Sequence, residues 1–216
     1  MINIEISTLM YVADMMGVAV FAVTGGLMAA RQRMDIFGFI VLAIATGIGG
    51  GTMRDLILGI RPVFWIGDPN YLLVPVAAGI VVFFFAPVFK SLPRALSWMD
   101  AAGLAIFSVV GASWALRVGA SFSVAVMMGV MTGCGGGMLR DILAGEPPMV
   151  LRREIYATAA LIGAAAYALL RTVAVENGMA MAAGAAATFL VRGLAIHFNL
   201  SYPVYGATRF HRRDGD

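Results

Sequence analysis

Apolar residues run along this chain in long unbroken stretches separated by short polar turns. Seven stretches have membrane-crossing length: Thr8–Ala29, Ile36–Gly59, Tyr71–Phe89, Ser97–Leu116, Phe122–Gly145, Ile155–Leu170 and Met179–Phe198. About 20 apolar residues cross a bilayer as a helix. The turns between them read RQRMD, IRPVFWIGDPN, KSLPRA, RVGAS, EPPMVLRRE and RTVAVENG. Strands of a membrane barrel would alternate over segments of about ten residues, and these stretches do not alternate. The pattern predicts an all-α integral membrane protein with seven transmembrane helices, one domain over residues 1–216. The opening MINIEIS has no Lys or Arg ahead of the first stretch. A cleavable signal needs such a positive region, so the first stretch is expected to be retained.

The two halves of the pattern repeat. Shifted by 86 positions, Asp14 to Pro62 overlies Asp100 to Pro148 without a gap. Asp14 meets Asp100, Gly17 meets Gly103, Phe21 meets Phe107, Gly25 meets Gly111 and Arg31 meets Arg117. Thr46-Gly47 meets Thr132-Gly133, Gly49–Gly51 meets Gly135–Gly137, Arg54-Asp55 meets Arg140-Asp141, and Gly59 meets Gly145. Apolar bias explains some Gly and Ala matches but not the Asp, Arg and Pro ones. Repeat one covers about 8–89, repeat two about 97–170, and a seventh helix, about 179–198, is an addition. Three spans is an odd number, so the second copy enters from the opposite face. Inverted repeats with interrupted helices occur in many secondary transporters, and a channel has equal use for them.

Composition agrees with the pattern: 61% of residues are apolar and 12% charged, with mean hydropathy +0.89. Soluble domains carry about 25% charged residues. The net charge of +3 comes from scattered basic residues and is no nucleic-acid footprint. Those residues orient the chain instead. Turns on one side hold Arg31, Arg33, Lys90, Arg94, Arg152 and Arg153, followed by the tail residues Arg209, His211, Arg212 and Arg213. The other side holds Arg61, Arg117 and Arg171. The heavy side is cytoplasmic by the positive-inside rule, which puts the N-terminus outside and the C-terminus inside. A single cysteine, Cys134, excludes an intrachain disulfide.

The chemistry sits in two stretches, TGIGGGTMRDLILG from Thr46 and TGCGGGMLRDILAG from Thr132. A glycine in a helix interior costs about 1 kcal/mol relative to alanine. One reading of the triplets is close helix packing; the other is a break or kink whose freed backbone groups face a polar cavity. The charges can be placed by counting at about 1.5 Å per residue. Asp14 and Arg54 then share a depth in the outer part of the membrane, and Asp100 and Arg140 share one in the inner part. They are expected as partners, with Asp55 and Asp141 as further acceptors. Intramembrane charges are by default functional. A salt bridge that locks two helices is the competing reading for Asp14 and Asp100, whereas the Arg-Asp doublets read as a pore or vestibule wall. Four acids against two arginines lean towards cations, although an arginine at a narrow point excludes them.

Other features carry less. His197, near the inner end of the last span, reads as interfacial or hydrogen-bonding. Trp65, Tyr71 and Tyr156 fit the aromatic belts, and the methionines fill lipid-facing and core volume. Arg192 is a third arginine within a span. No nucleophile elbow, phosphate loop or metal-ligand spacing is present, so the chain is not read as an enzyme and no cofactor is expected.

ATGIGGGTMRDLILG and TGCGGGMLRDILAGEPPMVLRREIYATAAL resemble prokaryotic members of the trimeric intracellular cation (TRIC) channel family, whose superfamily also includes bacterial glycine transporters. The resemblance runs from Asp14 to about Asn199. It implies a three-plus-three-plus-one helix arrangement and a homotrimer with one pore per protomer. It also implies bends in the second and fifth helices at Gly49, Gly50 and Gly51 and at Gly135, Gly136 and Gly137. Eukaryotic members carry a Lys-containing motif in place of the first triplet. Glycines in both copies point to a prokaryotic protein of the plasma membrane.

Together these readings give a potassium-permeable channel, with permeant K+ or Na+ and bound membrane lipid as its small-molecule contacts. Thr46 and Thr132 are wall hydroxyls beside the bends, and Arg54/Asp55 and Arg140/Asp141 set vestibule electrostatics. The alternative is an alternating-access transporter of glycine or another small neutral solute, for which an Arg and an Asp at one depth suit a zwitterion. A third reading, a purely structural membrane protein, requires the charges to be packing locks only.

Overall fold

The structure, a computed structural model, describes residues 8–88 and 91–203. The opening MINIEIS, Phe89, Lys90 and the basic tail with Arg209, His211, Arg212 and Arg213 lie outside the described residues. The helices are α1 (Thr8–Arg31), α2 (Ile36–Leu58), the one-turn α3 (Phe64–Gly67), α4 (Asn70–Phe85), α5 (Leu92–Arg117), α6 (Phe122–Leu143), α7 (Ala157–Thr172) and α8 (Asn177–His197). Short 3-10 turns follow at Ala86–Val88 and Met149–Leu151. Six helices are long and apolar enough to cross a membrane; α7, with 16 residues, is shorter. At about 1.5 Å per residue it spans roughly 24 Å. Among the described residues the one β pairing is an isolated bridge between Glu154 and Ser201.

Helix ends follow local chemistry. The Asp35 carboxylate accepts from Gly38 N at 2.8 Å and caps α2. Glu176 caps α8 by accepting from Gly178 N and Met179 N at 2.8 and 3.0 Å, and those two bonds hold its carboxyl below the usual range. Both glycine-triplet helices stop at a left-handed glycine, Gly59 at φ 70° and Gly145 at φ 71°. Glycine takes that conformation without steric penalty. The polar turn before α4 contains α3. Helix α5 begins at Leu92, five residues before the apolar run, because Pro93 suits a first turn whose N–H groups need no partner.

The repeat is visible as packing. Helices α1, α2 and α4 pack on one another in the first copy, and α5, α6 and α7 do so in the second, while α8 covers α5 and α7. The copies meet through equivalent elements, α1 against α5 and α2 against α6. Phe21 and Phe107, equivalent by the shift of 86, form an edge-on pair with centroids 5.2 Å apart. A Cβ on Gly17 would strike the Phe107 ring, and one on Gly103 would strike the Phe21 ring. Such reciprocity is the mark of a two-fold contact, here internal to one chain.

Burial is inverted relative to a soluble protein. Large apolar side chains point outward, among them Phe84 at 65% and Leu190 at 61% exposure, while Arg54, Arg140 and Arg192 are among the largest fully buried side chains. Tyr71 and Tyr156, expected in aromatic belts, are buried instead, at 2% and 1% exposure. Each fills space beside a charge network, so its hydroxyl is not left at the headgroup level. Trp65 is half-buried and donates to Thr52 Oγ1 at 3.1 Å. His197 is exposed at the end of α8 and stacks edge-on against Phe198.

The glycine triplets do not interrupt their helices. Helix α2 runs unbroken through Gly49–Gly51, and α6, the fifth of the long helices, runs unbroken through Gly135–Gly137. The expected break with freed carbonyls is therefore absent. The middle glycines instead bring two backbones together. A Cβ on Gly50 would collide with the Thr132 carbonyl oxygen, and one on Gly136 with that of Thr46. The flanking glycines face side chains: a Cβ on Gly49 would lie 2.5 Å from Leu139, and one on Gly51 2.8 Å from the Phe64 ring. Small residues at such crossings are how membrane helices approach closely.

Gly50→Ala and Gly136→Ala are each expected to destabilise the protein by about 2–3 kcal/mol, the upper range for overpacking. Gly67→Ala meets nothing within 4 Å and should change stability by less than about 0.5 kcal/mol. Thermal unfolding in detergent measures all three, and equal losses would remove the packing role.

Candidate functional site

The site consists of two arginine-centred networks flanking the α2–α6 crossing, one in each half of the molecule. Each is built from the doublet at the end of a triplet helix and an aspartate from the first helix of the same repeat. With the first repeat's network termed outer and the second's inner after the sidedness expected from the sequence, Arg54 Nε of the outer network donates to Asp55 Oδ1 at 2.8 Å and its Nη1 reaches Asp14 Oδ1 at 3.5 Å. The other Asp55 oxygen accepts from Phe64 N at 2.9 Å, which seats α3. The Arg54 guanidinium lies 4.9 Å from the Trp114 ring centroid and 5.5 Å from that of Phe64. Aromatic faces attract a cation deprived of water.

The inner network repeats this design with tighter bonds. Arg140 Nη1 donates to Asp100 Oδ1 at 2.6 Å and to Thr24 Oγ1 at 3.0 Å. Its Nε donates to Asp141 Oδ1 at 2.9 Å, and Nη2 stands 2.9 Å from the same oxygen. Asp141 Oδ2 accepts from Met149 N at 2.9 Å. Met149 corresponds to Phe64, so one residue has dropped out of the second copy after the doublet. The same offset pairs Tyr71 with Tyr156.

All eight of these charged and threonine residues are enclosed. Asp14 is 2% exposed, Asp55 1%, and Thr46, Arg54, Asp100, Thr132, Arg140 and Asp141 are at 0%. The doublets thus do not form the wall of an open vestibule in this conformation, because each arginine is paired with neighbouring acids and packed under aromatic or sulfur-bearing side chains. Thr46 and Thr132 turn inward on their own helices, donating to Leu42 O at 2.5 Å and Met128 O at 2.7 Å. These are matched bonds at equivalent positions, beside the carbonyls that meet Gly136 and Gly50.

Arg192, placed in a span by sequence but given no role there, joins the inner side. It donates to Glu154 and, at 3.2 Å, to Ile155 O, and its guanidinium lies 5.2 Å from the Tyr156 ring centroid. Tyr156 in turn stands beside Gly137, where a Cβ would lie 2.8 Å from its hydroxyl oxygen. The signal for Arg192 was its charge inside an apolar stretch. Nothing in the spacing named Glu154 as its partner.

The two ends of the bundle differ in charge. Arg31 and Arg152 both approach Glu146, at 3.3 and 3.4 Å, which gathers the α1 end and the loop after α6 at one end. Tyr11 donates to Asp68 at 2.8 Å and marks the other end. A cavity of about 490 Å³ at that other end is bordered by Arg117, Arg171 and Glu176.

Comparison with known proteins places this geometry in context. The family described as glycine transporter matches the chain twice, over residues 11–87 and 97–172, once for each repeat. A UPF0126 membrane protein of Vibrio cholerae is 44% identical over 208 residues, 94% of this chain and 85% of the relative. The UPF0126 inner membrane protein YadS of Escherichia coli is 43% identical over 199 residues, 91% of this chain and 96% of the relative. Among solved structures, the TRIC trimeric intracellular cation channel orthologue from Rhodobacter sphaeroides superposes with a TM-score of 0.87 at 47% identity, covering 90% of this chain and 100% of that one. The matching family and the solved structure are described as a transporter and a channel, not as enzymes.

Removing one partner of a buried ion pair costs about 3–5 kcal/mol. Arg140→Met should reach that range, and Arg54→Met should cost less, since Arg54 holds Asp14 only at 3.5 Å. Thr24→Val should cost about 1–3 kcal/mol by stripping an acceptor from Arg140. Thermal midpoints of the three variants test the order, and a larger loss for Arg54→Met would reverse the assignment of the inner network as the tighter one.

Proposed function

This chain belongs to the family described as glycine transporter, with its UPF0126 relatives, and to the trimeric intracellular cation channel family; from that premise we propose that it is a cation channel. The observation that carries the reading is the likeness to the Rhodobacter sphaeroides channel over nine tenths of the chain at 47% identity. The geometry supports it. Each network sets two carboxylates against one guanidinium, so each half of the α2–α6 seam holds a surplus negative charge inside an apolar shell. A polar path along that seam favours cations over anions.

In finer terms the channel is a homotrimer of the plasma membrane, passes potassium, and has a separate pore in each protomer between α2 and α6. The triplets Gly49–Gly51 and Gly135–Gly137 let these helices bend as the seam opens. Thr46 and Thr132 then turn their hydroxyls to the path, and the Arg54/Asp55 and Arg140/Asp141 doublets set the potential of its two mouths. The arginine-rich end of the bundle faces the cytoplasm, with the N-terminus outside and the C-terminus inside. Membrane lipids are its other partners.

The family's description favours a second reading, an alternating-access carrier for glycine or a similar small solute. An arginine and an aspartate at one depth suit the carboxylate and ammonium of a zwitterion, and α2 and α6 would then be the moving elements.

Reconstitution into planar bilayers decides between them. Unitary currents that reverse at the potassium potential are expected, and saturable glycine uptake coupled to protons or sodium, without unitary currents, would overturn the channel. A reporter active only in the cytoplasm is expected to function when fused to the C-terminus.

A further inference from the structure

The start of α5 and the end of α8 enclose a recess of about 630 Å³ at the arginine-rich end of the bundle. Ser91, Arg94, Ser97 and Trp98 border it from α5, and Ile196 and His197 from α8. Among the described residues no acid lines it. The acid further along α5, Asp100, is committed to Arg140, and Glu154 of the neighbouring loop is committed to Arg192. Arg94 is exposed and forms no ion pair or hydrogen bond among the described residues. Ser91 stands at the N-cap of α5, yet its hydroxyl caps nothing. His197 offers an imidazole N–H donor in either protonation state. The recess therefore carries basic and hydrogen-bonding groups with no internal anion to meet them.

Below this rim the groove turns apolar. Trp98 lies one helical turn further along α5 than Arg94, on the same helix face. Its indole packs against Phe189 of α8 with centroids 6.0 Å apart. Gly193 gives the indole its place, since a Cβ there would lie 3.3 Å from the Trp98 ring. Both aromatics stay partly open, Trp98 at 36% and Phe189 at 38% exposure. From rim to bilayer the α5–α8 groove is thus cationic, then aromatic, the order in which a phospholipid presents its phosphate and its acyl chains. Tryptophan is enriched at the headgroup level, and basic pockets between spanning helices receive anionic headgroups. The first repeat has no such groove. The shift of 86 puts Thr8 in place of Arg94 and Val12 in place of Trp98, and α8 lies outside the repeat.

We propose that this recess binds one anionic membrane phospholipid, with Arg94 and His197 on its phosphodiester and an acyl chain along Trp98 and Phe189. The unopposed positive charge favours an anionic headgroup over one that carries its own ammonium. The aromatic pair favours a lipid over a free phosphate, which has no chain to lay there. The site is on the outside of the bundle, and it rests on the chain's place in a membrane and not on what crosses it.

The test is native mass spectrometry of the purified full chain released from detergent, with phosphatidylglycerol, phosphatidylcholine or inorganic phosphate added. One phosphatidylglycerol per chain should stay bound at concentrations where phosphatidylcholine does not. Arg94→Gln and His197→Gln change exposed side chains that bond to no other group among the described residues, so both variants fold. Each should weaken the binding by about fivefold. Arg153→Gln, at an exposed arginine of the same end outside the recess, should leave it unchanged. Equal retention of the two lipids overturns the proposal, as does full binding by Arg94→Gln or an equal loss in Arg153→Gln. Inorganic phosphate bound as tightly as phosphatidylglycerol overturns the lipid as occupant. Selective binding without unitary currents would keep this site and remove the channel; currents without selective binding would do the reverse.

Discussion

Everything in this molecule hangs on one backbone contact, where α2 and α6 cross at Gly50 and Gly136. Each glycine lies against the carbonyl of the threonine that corresponds to the partner's own threonine, so the contact is its own mirror under the internal two-fold. No side chain fits there. In lipid, apolar burial supplies little drive between helices, and close packing with satisfied polar groups has to supply it. The crossing does the first part, and it brings the ends of α2 and α6 to depths where the arginine networks do the second. Without the close approach, Phe21 and Phe107 could not meet edge-on, and α1 and α5 would lose their seam.

The networks answer a stricter demand. A guanidinium in a membrane interior has five donors and no water, so its neighbours must be acceptors fixed in place. Both repeats answer this with the same two acids: an adjacent aspartate on the same helix and a second aspartate forty positions earlier. Buried ion pairs add little net stability relative to apolar packing. Keeping one on each side of the internal two-fold therefore accords better with the proposed polar path than with a purely stabilising role. Both networks are fully enclosed in this structure. Thr46 and Thr132 likewise spend their hydroxyls on their own helices.

Much of this was legible in the chain itself, and the parts that were not have a common cause. The order of the spans followed from apolar length, although α7 falls short of the length of the other six, and the inverted relation followed from an odd count of spans per repeat. The partners Asp14–Arg54 and Asp100–Arg140 followed from rise per residue, since depth is nearly one-dimensional in a membrane. Rotation about the helix axis is not. Counting places Tyr71 and Tyr156 near the water interface, but it cannot tell that they face inward towards charge. Likewise the glycine triplets read equally well as breaks or as crossings until the neighbour across each one is known. Glu154 as the partner of Arg192 needed the fold of a loop whose sequence, EPPMVLRRE, has no period to read.

The helix outside the repeat explains why two copies of one design need not behave alike. Helix α8 holds the inner loop through Arg192, which bonds Glu154 and Ile155, and the segment after it continues the hold. Tyr202 N donates to Arg153 O at 2.8 Å, and its hydroxyl bonds Thr158 at 2.7 Å. The inner loop carries Met149, which saturates Asp141, and Tyr156, which stands over Gly137. The outer loop with Phe64 and Tyr71 is fastened by members of its own repeat, through Tyr11 to Asp68 and Trp65 to Thr52. Motion of α2 against α6 would strain these two anchorages differently, since one is internal to a moving repeat and the other ties a repeat to a separate helix. Duplication supplies the symmetric crossing, and the added helix makes the anchorage of its two loops unequal.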